Sequence, residues 1–459
     1  MTIFKTGTTA LVTAALLGGA ATGILTAAPA LAQETVQLEI WSRQDVSGPL
    51  RAGNVVKAAD MLNAALEEEG SDVRVEVVVR ESPAQGFDDD ALALLRAFGI
   101  GEGPDMFIAA HEWICAFQQD GFALKLDDYI EKYPEHFGTI FPSLWDSTRC
   151  PDGIYGIPQD AEARMFFYNK KLLREAGFDE DFITAMPERT LAGDLTMDEV
   201  IDIAKQVVDN TDAEYGILHR PNVGPDFSMV FGAYGNDFVD PETGNLLINR
   251  EDLTAAFGWF ERAVNEGVIP ANNTSMDWDA IRADFYANEN SAFWKYGIWD
   301  LGSYAFPTFG LPDDEEGFFA DWGWIAVPAA EKGGQPSTLT HPIIYGVAAD
   351  TEHPDLVVRL LGYASDAELN TDHAVTTTHI GIRPEQLEDP RYQEAWPLAR
   401  ATQLLEIAKY LPNEPQFADL NRILYTAIQG VESGRLTAED AAEFVIDEAE
   451  GNLDNVIIE

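Results

Sequence analysis

Beyond its first 32 residues this chain has no long apolar run. No later segment approaches 18 consecutive apolar residues, which argues against any membrane-spanning helix in the mature chain. Basic side chains are scarce: 29 Lys and Arg stand against 78 Asp and Glu, for a formal net charge of −49. Such a surface repels nucleic acid and anionic membranes, so neither is expected as a partner. Cysteine is almost absent, with Cys115 and Cys150 alone. Neither has a second cysteine at ligand spacing, so no metal site is expected. A G-x-S-x-G elbow, an H-E-x-x-H helix and a phosphate loop are all missing, which removes the commonest signatures of hydrolases and nucleotide enzymes. Internal repeats and low-complexity linkers are missing too.

What is present begins with an export signal. Lys5 is the only charge in residues 1–32, an Ala/Leu/Gly run follows, and Ala30-Leu31-Ala32 supplies a small-x-small cleavage site before Gln33. Gly and Thr interrupt the run and no basic cluster follows, which disfavours a membrane anchor. No cysteine near the cleavage point suits a lipid anchor. The mature protein is therefore expected in the periplasm. There an even pair of cysteines admits one Cys115–Cys150 disulfide, with two separate buried thiols as the alternative. The acid excess, with so few lysines, suits a saline medium in which salt screens the repulsion.

The mature chain is too long for one hydrophobic core and suits two lobes. Strand patterns at 36–41, 73–79 and 106–110 alternate with helical ones at 54–69 and 91–98, which predicts a parallel sheet flanked by helices. Further helices are expected at 253–266, 283–288, 354–365, 401–409 and from 418 onwards, with Thr437 and Asp440 as a cap. Strands are expected at 291–296, 322–327 and 343–349. The most informative stretch is 156–170. There Asp160, Glu162 and Arg164 interrupt an apolar β-type run on alternating positions, before Tyr168-Asn169-Lys170 turns into a helix. If that run is extended, the three charges share a face. Buried charges need a partner, and a ligand is one candidate.

Several motifs resemble one known family. They are Gly101-Glu102-Gly103-Pro104-Asp105 followed by Ala110-His111-Glu112, Gly121 through Leu126-Asp127-Asp128-Tyr129-Ile130, Pro158 through Lys170, Ala292 through Trp299, and Gly334-Gln335-Pro336-Ser337 with Tyr345-Gly346-Val347. In this order they resemble the extracellular solute-binding proteins of ABC importers, of the type that includes maltodextrin-binding protein. The resemblance implies a two-lobe α/β periplasmic-binding-protein fold with a ligand cleft between the lobes. It places residues 33–162 plus 345–388 in one lobe and 163–344 plus 389–459 in the other, with crossings near Glu162, Tyr345 and Glu388.

The same resemblance implies a carbohydrate ligand and a set of residues to hold it. Glu162 matches a glutamate that bonds sugar hydroxyls, although a salt bridge to Arg164 is the competing reading. Glu112 matches a ligand carboxylate, while Trp113 stands where the family has an arginine. Asp45 matches a sugar-binding aspartate. Val46 replaces the lysine beside it, leaving Arg43 and Gln44 available. Trp299 matches a stacking aromatic, and Asp226 and Phe227 fall in a loop that supplies another. Asn421 stands near the place of a late aromatic, which suggests a ligand smaller than a long maltodextrin. Asp160, Arg164, Tyr345 and Arg383 complete the candidates. Trp294, Trp322 and Trp324 read as core, and His111, His341 and His379 as structural or hydrogen-bonding residues.

The function expected is therefore capture of a mono- to small oligosaccharide, or a sugar derivative, and delivery to the importer's membrane permease. The protein is expected to be monomeric, non-enzymatic and without cofactor. Two alternatives compete. Arg43, Arg164, Lys295 and Arg383 could pair a phosphate, sulfonate or uronate on the sugar. Glu112 and Glu162 could instead be the acid and nucleophile of a secreted glycoside hydrolase.

Overall fold

The computed structural model describes residues 34–459 except 44–46, 85, 242 and 455. The expected signal and its cleavage point lie outside these residues, as do Gln44 and Asp45.

Two sheets organise the chain. The first has the order Val73–Ser82, Glu34–Arg43, Met106–Ala110, Ile343–Val347, Gly156–Pro158. Glu34–Arg43 runs parallel to both neighbours, as the strand-helix-strand pattern predicts. Ile343–Val347 instead runs antiparallel to Met106–Ala110 and Gly156–Pro158, because it arrives directly from the second sheet with no helical crossover. Helices Gly48–Glu68 and Pro354–Ala364 cover this sheet, burying Val55, Leu62, Val357 and Leu361 completely.

The second sheet is six-stranded, built around Arg164–Asn169 and Ser291–Gly297, which pair antiparallel. Every residue of both strands is buried. Along the first of them, Met165 and Phe167 enter one core and Phe166 and Tyr168 the other, as period-two alternation requires. A strand covered on both faces reads as a continuous apolar run, and the charges at its start therefore stand out.

The chain passes from the first sheet to the second at 159–163 and returns at 340–342. These two crossings lie side by side, with the Glu162 amide donating to Thr340 Oγ1 at 3.1 Å and the Gln159 amide to the Ile343 carbonyl at 2.8 Å. A third segment joins them where Ala161 bridges Ile380. Asn169 ends its strand by accepting from the amides of Lys171 and Leu172, which starts helix Lys170–Glu175 as the Tyr-Asn-Lys turn predicts. Thr437 and Asp440 form a capping box on Ala438–Asn452.

The helix expected at 401–409 is a correction. Helix Trp396–Ala401 passes into a 3-10 turn, and Ala408–Lys409 extends to pair with Thr338–Leu339, so sheet pairing overrides the local pattern. Helix Trp278–Tyr286 starts earlier than its periodicity suggests, capped by Asp277. Cys115 and Cys150 are bonded. No helix among the described residues is long and apolar enough to cross a membrane.

Candidate functional site

Where the two crossings meet, a cavity of about 700 Å³ opens between residues of both sheets. This size is ordinary for a small-molecule site. Among the expected ligand residues, Arg43, Glu112, Glu162, Arg164 and Trp299 line it. Glu112 sits on the 3-10 turn His111–Trp113 that follows strand Met106–Ala110, so the end of the first sheet delivers it. Arg164 opens the central strand of the second sheet, and Glu162 precedes it in the crossing.

Glu162 and Arg164 face each other at 2.6 Å between Oε2 and Nη1, so the salt bridge weighed against ligand contact is present. The contact lacks hydrogen-bond angles, however, and both atoms remain buried with no hydrogen-bond partner among the described residues. Glu112 Oε2 is a third such atom, while Glu112 Oε1 takes His341 Nε2 at 2.9 Å. Burial alone would raise the Glu112 carboxyl, but the charge and hydrogen bond of His341, with His111 beside it, hold it down at about 2. For Glu162 too, burial is outweighed by Arg164 and His379, and the carboxyl is held below its ordinary value.

Trp299 is half-buried, with the Arg164 guanidinium 4.7 Å from its ring centre and His379 stacked at 6.0 Å. His379 follows Thr378, whose φ of +55° is uncommon for a β-branched residue. Gly302 leaves room for it, since a Cβ there would come within 1.8 Å of the Thr378 hydroxyl.

The other expected ligand residues do not line the cavity. Asp160 is buried behind it, bonded to Arg51 Nη2 at 2.7 Å and His373 Nε2 at 3.0 Å. Asp160 and Glu162 both approach His379, but only Glu162 reaches the cavity lining. Asp226 lies beneath Arg164 and Arg220, accepting from both. Phe227 packs in the core against His219 and Tyr425. Tyr345 is buried in the first sheet, its hydroxyl donating to the Arg51 carbonyl at 3.1 Å. Arg383 holds the Ser365 and His136 carbonyls elsewhere in the fold. Trp113 stands one layer back, donating to the lining residue Asp88 at 3.1 Å.

Sequence reasoning missed Arg220, Arg282, Trp278, Tyr296 and Tyr304, which form the opposite wall. His341 and His379, expected as structural or hydrogen-bonding residues, do make hydrogen bonds, to Glu112 and to the Thr377 carbonyl, and both also line the cavity, as does Asn421. One signal was available: Trp278 and Arg282 lie four apart on one helix and so share a face. Lys295 is fully buried below the wall, donating to the Asp226 carbonyl at 2.7 Å.

Among the described residues one group could offer three metal ligands, Asp160, His373 and His379, with ligand atoms within 4.8 Å of one another. Arg51 already occupies the Asp160 oxygen that His373 takes, so a cation there would meet a guanidinium. The trio does not fit a metal.

A family model for bacterial extracellular solute-binding proteins matches residues 52–370, well over half of the chain. The chain belongs to that family. Its members are exported, and this solute-binding protein resembles several in detail. It is 23% identical to the maltotriose-binding protein of Pyrococcus abyssi over 74% of this chain and 67% of that one. It is 21% identical to the galactooligosaccharide-binding protein of Bacillus subtilis over 91% and 89%. Its fold matches the sugar-binding protein MalE from Xanthomonas citri with a TM-score of 0.71 at 18% identity, covering 91% and 97% of the two chains. It matches maltose-bound MalE3 of T. maritima at 0.69, 17% identity, 91% and 100%. The solute-binding protein therefore has the two-lobe α/β fold that its motifs imply.

Proposed function

We propose that this protein captures a carbohydrate, a mono- to small oligosaccharide or sugar derivative, and hands it to the membrane permease of an ABC importer. It works as a monomer in the periplasm after removal of residues 1–32. The lobes, 33–162 plus 345–388 and 163–344 plus 389–459, hinge at the crossings and close on the ligand. Relatives named for binding maltotriose and galactooligosaccharide support the ligand class.

The observation that carries this reading is the set of three buried atoms on cavity residues that make no hydrogen bond: the acceptors Glu112 Oε2 and Glu162 Oε2, and the donor Arg164 Nη1, the last two held only as an ion pair. Burying such a group without a hydrogen bond costs roughly 1–3 kcal/mol. A hydroxyl both donates and accepts, so one lying alongside the Glu162–Arg164 contact on the cavity side can donate to the carboxylate and accept from the guanidinium. The aromatic rings of Trp278, Tyr296, Trp299 and Tyr304 offer surface to the C–H faces of a pyranose.

The hydrolase reading is less well supported. A glycosidase acid must stay protonated near neutral pH, and both Glu112 and Glu162 are held below the ordinary carboxylate range.

The test is a thermal-shift screen of the mature protein against neutral and acidic mono- and oligosaccharides, since a ligand of the folded state raises its melting temperature. A rise with at least one sugar, and no monosaccharide released on incubation, is expected. No rise with any sugar, or steady hydrolysis, would contradict the proposal.

A further inference from the structure

Six arginines line the cavity, namely Arg43, Arg51, Arg164, Arg220, Arg282 and Arg422, in a chain with only 29 basic side chains against 78 acidic ones. They are not spread evenly. The four lining carboxylates, Asp88, Asp89, Glu112 and Glu162, all precede the second sheet in the chain. The opposite wall, from Arg220 through Trp278 and Arg282 to Tyr304, contributes no carboxylate to the lining.

On that wall Arg220 and Arg282 converge on one indole, their guanidinium carbons 5.6 and 4.9 Å from the Trp278 ring centre. Arg282 also lies 3.7 Å from the Tyr304 ring centre. It is 6% exposed and fixed by its Nε bond to Asp300 at 2.9 Å. The acids behind the wall are shared. Asp300 also accepts from the Tyr286 hydroxyl and Trp294 Nε1. Asp226 accepts from both Arg164 and Arg220, and the Lys295 ammonium is bonded to its carbonyl. Two carboxylates, Asp226 and the Glu162 that also pairs Arg164, thus stand among three cations. Burial chiefly holds the Lys295 amine down at about 8, against the pull of Asp226 and with Arg220 and Arg164 adding to the fall.

We propose that the bound sugar is anionic, and that its acidic group (a carboxylate, sulfonate or phosphate) seats against Arg220 and Arg282 beside Trp278. Guanidiniums only donate, and they match planar and tetrahedral oxyanions with two parallel bonds. Here they are held in place by rings, by Asp226 and Asp300, and for Arg220 also by Asn222, which accepts from its Nε and Nη2. The two-bond contact therefore falls to the Arg282 end, with Arg220 adding charge, and the prior ordering reduces the cost of binding. The hydroxyls of the same ligand face the Glu162–Arg164 side. This inference rests on the carbohydrate reading and narrows it.

The experiment compares matched probes on the full mature protein: oligouronates against their carboxyl-reduced counterparts, sulfated against neutral galactans, and hexose phosphates against free hexoses. Calorimetry is expected to show at least tenfold tighter binding of one acidic series than of its neutral match. That preference should shrink as NaCl is raised, because salt screens the ion pair. Arg220→Gln and Arg282→Gln should each weaken the acidic series more than its neutral match, so that the ratio of the two affinities falls towards parity, and Arg282→Lys should keep part of the preference. If Arg282→Gln does not fold, Arg220→Gln and the salt dependence decide. Equal or tighter binding of the neutral series, or a preference that survives both Gln variants, overturns the anionic assignment and leaves the carbohydrate reading standing. Binding of no sugar from either series overturns both.

Discussion

The two sheets solve the same packing problem with different chemistry. The first buries Leu38, Ile40, Phe107 and Ile108 in its middle strands and keeps its functional charge at their ends, where Glu112 and His341 meet. The second carries charge inside the fold. Arg164, His219, Lys295, Asp226 and Asp300 are all buried within or directly against its strands. A buried ion pair is weak evidence for stability, since hydrophobic replacements often do as well. The second sheet therefore holds these groups at some cost, and the cavity they support is the reason we see for it. Both sheets supply cavity residues, but the first does so from strand ends, turns and flanking helices, whereas the second does so with charges buried within and against its strands.

The largest effect should come from breaking the charge network of the second sheet. Asp226→Ala leaves Arg164 and Arg220 without their shared carboxylate, removes the negative charge nearest Lys295, which keeps its bond to the backbone carbonyl, and is expected to cost about 3–5 kcal/mol in denaturant unfolding. Adding Lys295→Met should recover part of that loss, because it removes one of the stranded cations. In the first sheet Leu38→Ala should cost about 2–5 kcal/mol by leaving a cavity, with no change in ligand affinity. Equal affinity losses from Leu38→Ala and Asp226→Ala would erase the contrast between the sheets.

Acid should act next. His111, beside Glu112, His341 and Asn413, is held down at about 4 chiefly by burial, and so is His373, beside Asp160, Arg51 and His379. Between pH 6.5 and 4 the unfolded chain takes up protons that these two histidines refuse. Their contribution is therefore intact above pH 6.5 and lost as pH falls to 4, on the order of 3 kcal/mol for each. Glu112 and Asp226, held at about 2, extend the loss below pH 4.5. Melting temperatures across this range should slope downwards with acid, and less so in His373→Gln. A flat profile from pH 6.5 to 4 would contradict the burial of neutral imidazoles. A smaller change is expected at the back of the site. Gly302→Ala must push Thr378 and with it His379, so ligand affinity should drop while the melting temperature falls by only a few degrees.

Much of the fold was legible in the sequence, and less of the site. Strand 106–110 and the helix after Asn169 were readable because their signals are local: an apolar run after Gly103-Pro104-Asp105, and a side chain that can cap. The direction of Ile343–Val347 was not, because it depends on where the chain has just come from. Glu162 and Arg164 stood out as charges at the start of an apolar strand. Arg220 and Arg282 did not, since an arginine in a loop or midway along a polar helix is ordinary. Only the topology brings them to one indole. Asp160 misled for the opposite reason. Its position in the motif pointed to a ligand, but Arg51, more than a hundred residues away in sequence, is what it meets.

Calorimetric titration of Glu162→Gln, with the sugar that the thermal-shift screen identifies, tests the account most directly. Glu162 belongs to the crossing, pairs with Arg164 from the second sheet and lines the cavity. The account predicts at least tenfold weaker binding than wild type, as expected for loss of a charge-assisted acceptor worth about 1.5–3 kcal/mol, with the ligand-free protein still folded but melting lower, since Arg164 loses Glu162 and keeps Asp226. An unchanged dissociation constant in a folded Glu162→Gln protein would contradict it.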